Sequence, residues 1–201
     1  MSGNERGGER PGEMSEMPRA AGKLTDLIRK DDPIVKYEGE GAAILKQISK
    51  PVLKITEDVA ELTEQMQIIM RAANGVGLAA PQLGILQRII VYDAGDGFHA
   101  LINPKILQRR GTQVGVEGCL SIPGLQGDVE RAAEVVVKAQ DQFGKPVRIR
   151  GEGLAARVLQ HEIDHLDGIL FIDRNPQNLH YVTADEAEAE EKSGIAPQTR
   201  E

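Results

Sequence analysis

The sequence predicts an α+β protein in which mixed or antiparallel sheets pack around one central helix. Three observations carry that prediction. The run His161-Glu162-Ile163-Asp164-His165, an H-E-x-x-H pattern, lies in an apolar stripe of helical period with Leu154 and Val158. β-Branched segments bounded by turn-forming residues come before it. An amphipathic stretch of helical period begins near Thr56.

Residues 1–41 are polar, glycine-rich and irregular, and are read as a flexible extension, with Lys23 to Lys30 able to form a turn or two of helix. Beyond Thr56, Val59, Leu62, Met66, Ile69, Met70 and Ala73 recur at helical spacing, with Glu57 and Asp58 in the first turn. That helix stops at Asn74-Gly75, residues suited to a left-handed C-terminal backbone. Arg88 to Tyr92 and Ala100 to Leu107 read as strands around the turn-rich Asp93 to Gly97. Glu134 to Ala139 and Pro146 to Arg150 flank Asp141-Gln142-Phe143-Gly144 as a hairpin. The second helix starts near Leu154. Leu154, Val158, His161 and His165 share one of its stripes, which places the histidines at a sheet-helix junction. After Asp173 the periodicity fades, so residues 42–180 form the expected catalytic domain and residues 181–201 a loose acidic tail, with Ala184 to Lys192 as its alanine-rich centre.

With 201 residues, 40% hydrophobic content and 3% aromatics, the chain can bury one largely aliphatic core. A net charge of -7 argues against broad, sequence-independent nucleic-acid binding and leaves a local basic patch open. No early apolar run resembles a signal peptide, and Glu5, Glu9, Glu13 and Glu16 argue against a transit peptide. Cytoplasm is the expected location. The lone Cys119 has no internal disulfide partner, which leaves a buried apolar residue, a reactive thiol or a metal ligand as its uses.

Histidines four apart on a helix lie on one face about 6 Å apart along the axis, a spacing that lets both rings hold one metal ion. Glu162 sits one residue off that face, placed to take a proton from water, so the pattern proposes hydrolysis. A third ligand is needed. The metzincin position, six residues past the second histidine, holds Phe171, and a later glutamate from Glu186, Glu188, Glu190 or Glu191 falls in an acidic, solvated run. Cys119 is the better candidate, because a Cys-His-His set leaves a fourth position for water. Gly75-Val76-Gly77-Leu78-Ala79-Ala80 superficially matches a dinucleotide fingerprint, but a helix precedes it and Pro81 follows. Its glycines, Gly77 among them, suit close approach of a substrate backbone, and the amide of Gln82 is placed to donate to a developing oxyanion.

Three blocks in this order, GVGLAAPQ at Gly75 to Gln82, EGCLS at Glu117 to Ser121 and QHEIDH at Gln160 to His165, strongly resemble peptide deformylase. Residues 44–174 fit that family's pattern. The resemblance implies its fold, and a site in which Cys119, His161 and His165 hold one divalent metal, Fe(II) expected and zinc, nickel or cobalt possible. It implies hydrolysis of N-formylmethionyl nascent chains, with activated water attacking the formyl carbon and Glu162 passing the proton to the departing amine. Gln82 and the Leu120 backbone N–H would face the oxyanion. Backbone near Val76 and Gly118 would pair with an extended peptide, while Val76, Leu154 and Val158 wall the methionine pocket and Glu117 pairs with Arg131 behind the cysteine. His99 and His180 receive no role. The implied partners are nascent peptides and, transiently, the ribosome, although Asp185 to Glu191 would be repelled by RNA phosphates. No membrane and no specific nucleic acid are expected. A zinc endopeptidase and a metal-holding scaffold are the rival readings.

Overall fold

The computed structural model describes residues 22–183. Packing against the core is found earlier in the chain than the sequence suggests. Leu24 and Ile28 pack on the main core around a 3-10 turn, Leu24–Leu27, Ile34 and Val35 are buried, and helix α1 (Gly39–Leu45) follows. The flexible extension expected through residue 41 is corrected to that extent. Scattered apolar residues give no period to read, yet each finds a partner once the rest has folded. This segment also laces two of the motif blocks together, since Val35 N–H donates to the Gln82 carbonyl and Tyr37 N–H to that of Ser121, both at 2.7 Å. The expected acidic stretch at Ala184 to Lys192, and Glu186, Glu188, Glu190 and Glu191 with it, lie outside the described residues.

Helix α2 (Glu57–Ala72) buries Val59, Leu62, Met66 and Met70 on one face. It ends where Asn74 takes a left-handed φ of 53° and Gly75 N–H returns to the Met70 carbonyl at 2.9 Å. Five strands, β1 (Gly77–Ala79), β2 (Ile89–Tyr92), β3 (His99–Arg110), and then β6 (Glu134–Gln140) and β7 (Pro146–Glu152), form one sheet in the order β1-β2-β3-β6-β7. Between β3 and β6 the chain leaves to make β4 (Gln113–Cys119) and β5 (Ile122–Arg131), which join β8 (Gln177–Tyr181) in a second sheet. All paired strands are antiparallel, and one isolated bridge, Lys50 to Gln87, is parallel.

Helix α3 (Gly153–Leu166) lies against the first sheet on the face opposite α2. Ile90, Tyr92, Leu101, Val135 and Val137 meet Ala156, Leu159, Ile163 and Leu166 on one side. Ile89, Val91, Ala100 and Ile102 meet Leu62, Met66 and Met70 on the other. The strand β2 is apolar without alternation because both of its faces are covered. Each fully buried aliphatic side chain contributes roughly 1.5–3 kcal/mol. No described helix is long and apolar enough to cross a membrane.

Candidate metal and active site

The apolar stripe of α3 faces the sheet and turns its H-E-x-x-H segment toward the second sheet. His165 is buried and His161 nearly so, with ring centroids 5.0 Å apart at an edge-to-face angle of 75°. Cys119 arrives from the end of β4, where the pairing with β5 shifts register between Gly118 and Cys119 before a tight turn through Leu120 and Ser121. A bulge of this kind re-aims a side chain that regular pairing would place elsewhere. The Cys119 Sγ stands 3.3 Å from Nε2 of His165, and ligand atoms of Cys119, His161 and His165 all lie within 4.8 Å of one another.

The donor set fits a divalent metal. Burial pushes the Cys119 thiol up, but His165 and His161 beside it outweigh burial and bring it down to about 5, favouring the thiolate that binds metals. Burial raises the Glu162 carboxyl to about 7 against the pull of both histidines. Its Oε2 is buried with no hydrogen-bond partner in the protein. An orphaned carboxylate oxygen beside three converging ligand atoms suits a group that handles a proton there.

Charged residues brace these groups from behind. The Nδ1 of His161 is 2.9 Å from Oε2 of Glu117, which fixes the ring and leaves Nε2 free to ligate. Arg131 grips both Glu117 oxygens, at 2.8 and 2.9 Å, and passes Nη1 to Asp164 at 2.5 Å. Arg157 donates Nη1 to Oε1 of Glu117 and to the Val129 carbonyl, and Arg174 closes on Asp164 from the surface. Burial would raise the Glu117 carboxyl, but hydrogen bonds from Arg131 and His161 hold it well below the usual carboxylate range.

A groove of about 430 Å³ runs past these groups, lined by Val76, Gly77, Gln82, Gly118, Cys119, Leu120, Leu154, Val158, His161 and Glu162. The structure therefore brings the residues expected from the sequence to one place, with His165 buried beside them. Gln82 is oriented by its own turn. Ala79 N–H donates to its Oε1 at 2.9 Å, which directs Nε2 to the Ser121 hydroxyl at 3.3 Å and Cys119 Sγ at 3.6 Å. The Val76 carbonyl is already taken by Asp93 N–H at 2.9 Å. Antiparallel alternation turns the peptide groups of Gly77 to the free edge of β1, and Gly77 lines the groove.

Arg157, Ser121 and Asp164 were missed. Arg157 stands one helical turn before His161, a spacing that could have exposed it. His99 bonds Asp96 at 3.1 Å and His180 its own strand at 2.7 Å, both apart from the metal group.

A family model described as polypeptide deformylase matches residues 32–180. The chain belongs to the polypeptide deformylase family. A peptide deformylase of Carboxydothermus hydrogenoformans is 52% identical over 134 residues, 67% of this chain and 88% of its own. The crystal structure of peptide deformylase from Thermotoga maritima is 46% identical, covers 70% of this chain and 95% of that one, and gives a TM-score of 0.67. A Synechococcus elongatus peptide deformylase in complex with actinonin is 38% identical, covers 85% and 93%, and gives 0.68. The α+β architecture and the family read from the three blocks are borne out. As a member of this family the chain is a hydrolase that removes the formyl group from a peptide N-terminus, releasing formate.

Proposed function

We propose that the chain deformylates newly made N-formylmethionyl polypeptides with the following division of labour. Cys119, His161 and His165 hold one divalent ion, Fe(II) in the cell, with zinc, nickel or cobalt able to replace it on purification because binding strength favours the later metals. When bound, that ion supplies Lewis acidity that lowers the pKa of water to about 7.

Attack on the formyl carbon requires water to lose a proton, and Glu162 receives it on its carboxylate. The same carboxyl then gives the proton to the amine nitrogen as the C–N bond breaks, so formate leaves and a free N-terminus forms. Negative charge on the formyl oxygen meets Nε2 of Gln82 and the Leu120 backbone N–H. The peptide lies extended between Gly77 and Gly118, and Val76, Leu154 and Val158 wall the space for methionine, whose flexible thioether suits an irregular apolar slot. Action on nascent chains in the cytoplasm, with transient contact to the ribosome, follows from that substrate.

The observation that carries this reading is the convergence of Cys119, His161 and His165 within 4.8 Å, next to a buried Glu162 with an unpartnered oxygen. The test is anaerobic purification with metal analysis, followed by formate release from formyl-Met-Ala-Ser. Turnover that disappears in Glu162→Ala while metal content stays at that of the wild type is the expected result. Metal lost with Glu162, or turnover that survives its removal, overturns the assignment.

A further inference from the structure

Val135 and Val137 of β6 are buried against α3, so Glu134, Val136, Lys138 and Gln140 point to the other side of the sheet. Lys138 is directly opposite Lys105 of β3 on one flank and Arg148 of β7 on the other. With strands about 4.8 Å apart, three cations stand in one row roughly 10 Å long. All three are exposed, and none takes part in an ion pair among the described residues.

The neighbouring rows continue the pattern. Val136 lies opposite Arg150, and Glu134 is flanked by Arg110 and Glu152. Both glutamates of this face are engaged by Arg150, which leaves the row of three and Arg110 without a countercharge. Like charges directly opposite each other destabilise a sheet. Charge on an edge strand guards against unwanted pairing, which accounts for Arg148 on β7, but β3 and β6 are interior strands. The row stands out further in a chain of net charge -7.

At the end of this face the β6-β7 turn is held by Asp141, whose Oδ1 accepts the N–H groups of Phe143 and Lys145 at 2.9 Å each. Phe143 is 78% exposed at that tip. Unpaired cations along a sheet with an exposed aromatic at its margin are the elements of a nucleic-acid surface, where cations meet phosphates and rings stack on bases. An acidic peptide would use the cations alone. Helix α2 packs on β1, β2 and, at Ala100 and Ile102, the start of β3, while Lys105, Lys138 and Arg148 stay exposed beyond it, and none of these side chains lines the groove. A peptide could therefore enter the groove while this face is occupied.

We infer that the outer face of β3, β6 and β7 docks on the phosphate backbone of RNA without reading its sequence. The inference rests on the reading that the chain works at the ribosome, whose surface would present that RNA. The metal-loaded full chain is tested by co-sedimentation with ribosomes, and by fluorescence anisotropy on an oligouridylate of about twelve nucleotides and an oligoglutamate of equal charge. Three phosphate contacts imply a logarithmic salt slope of about -2, so affinity should fall about 20-fold between roughly 50 and 200 mM KCl. The combined Lys105→Glu, Lys138→Glu, Arg148→Glu variant should lose ribosome and oligouridylate binding while releasing formate from formyl-Met-Ala-Ser at the wild-type rate. If the reversed charges impair folding, the combined glutamine substitutions should still weaken binding at least about tenfold with turnover intact. Unchanged ribosome binding by the variants overturns this surface and leaves ribosome association standing. A wild type that never co-sediments overturns both, and equal affinity for oligoglutamate overturns the choice of RNA.

Discussion

A β-carbon added to Gly77 would overlap Oε1 of Glu162 and lie 2.8 Å from its Cδ. The absence of a side chain on β1 is thus what leaves room for the carboxylate on α3. Gly77 therefore both lines the groove and sets where Glu162 stands. Gly77→Ala should leave the Cys119, His161 and His165 ligands in place but displace the proton-handling oxygen. Because general acid-base catalysis contributes on the order of 10²- to 10⁴-fold, formate release should fall at least about 100-fold with metal content unchanged. Near-normal turnover in this variant would show that Glu162 has room to shift without consequence.

Gln82 is buried, and the bond from Ala79 N–H fixes which end of its amide faces the groove. If Nε2 serves the oxyanion, Gln82→Leu removes one preorganised donor while keeping the volume of the side chain nearly constant. The expected loss is about 100- to 1,000-fold in kcat, with KM for formyl-Met-Ala-Ser changing far less. An effect confined to KM would assign Gln82 to ground-state binding instead.

The parts of this site that were legible in the sequence are those whose chemistry is written in contiguous residues. His161 and His165 share a helical stripe, Glu162 sits between them, and Cys119 is the lone thiol, so helix geometry and ligand chemistry nearly suffice. The strands that carry Cys119 were not legible. β4 and β5 are interrupted by Gly115, Gly118, Gly124 and Gly127, β8 is exposed throughout, and neither composition gives the apolar alternation by which a strand is read. What holds them is cross-strand pairing and a buried ion network between residues far apart in the chain. Arg131 and Asp164, 33 positions apart, carry no sign in the sequence that they will meet. The early segment at Ile34 and Val35 is illegible for the same reason, since it is held by partners supplied later in the chain.

Glu117 is the anion on which Arg131, Arg157 and His161 converge, so Glu117→Gln leaves buried Arg157 without its carboxylate partner and Arg131 with Asp164 alone. Removing one partner of a buried ion pair costs roughly 3–5 kcal/mol, and loosening a ligand's support costs about 10- to 100-fold in metal affinity. Urea unfolding and chelator competition should show both losses. The carboxyl is held below its ordinary value of 4.5, so its contribution is complete above that pH and disappears as pH falls further. The stability gap between wild type and variant should therefore be full at neutral pH and shrink in acid. A gap that stays constant from neutral pH into acid would show that the loss comes from packing.

Tyr92 gives the opposite dependence, at the alkaline end. Its side chain is buried between the sheet and α3, with its ring 4.8 Å from that of His99. Burial, aided by the charge of Asp96, pushes its phenol up to about 12. An unfolded tyrosine titrates near about 10, so between these values the unfolded chain releases a proton that the folded chain retains. The contribution is complete below about pH 10 and is lost as pH rises toward 12, because the unfolded state then binds fewer protons. A difference of about two pKa units corresponds to on the order of 2–3 kcal/mol. Tyr92→Phe removes this titration while the lysines, common to both proteins, titrate as before. Unfolding free energies from urea titrations at about pH 9 and about pH 11.5 should therefore fall by roughly 2 kcal/mol more in the wild type than in the variant. Parallel losses in the two proteins would mean that the phenol opens to water before it ionises.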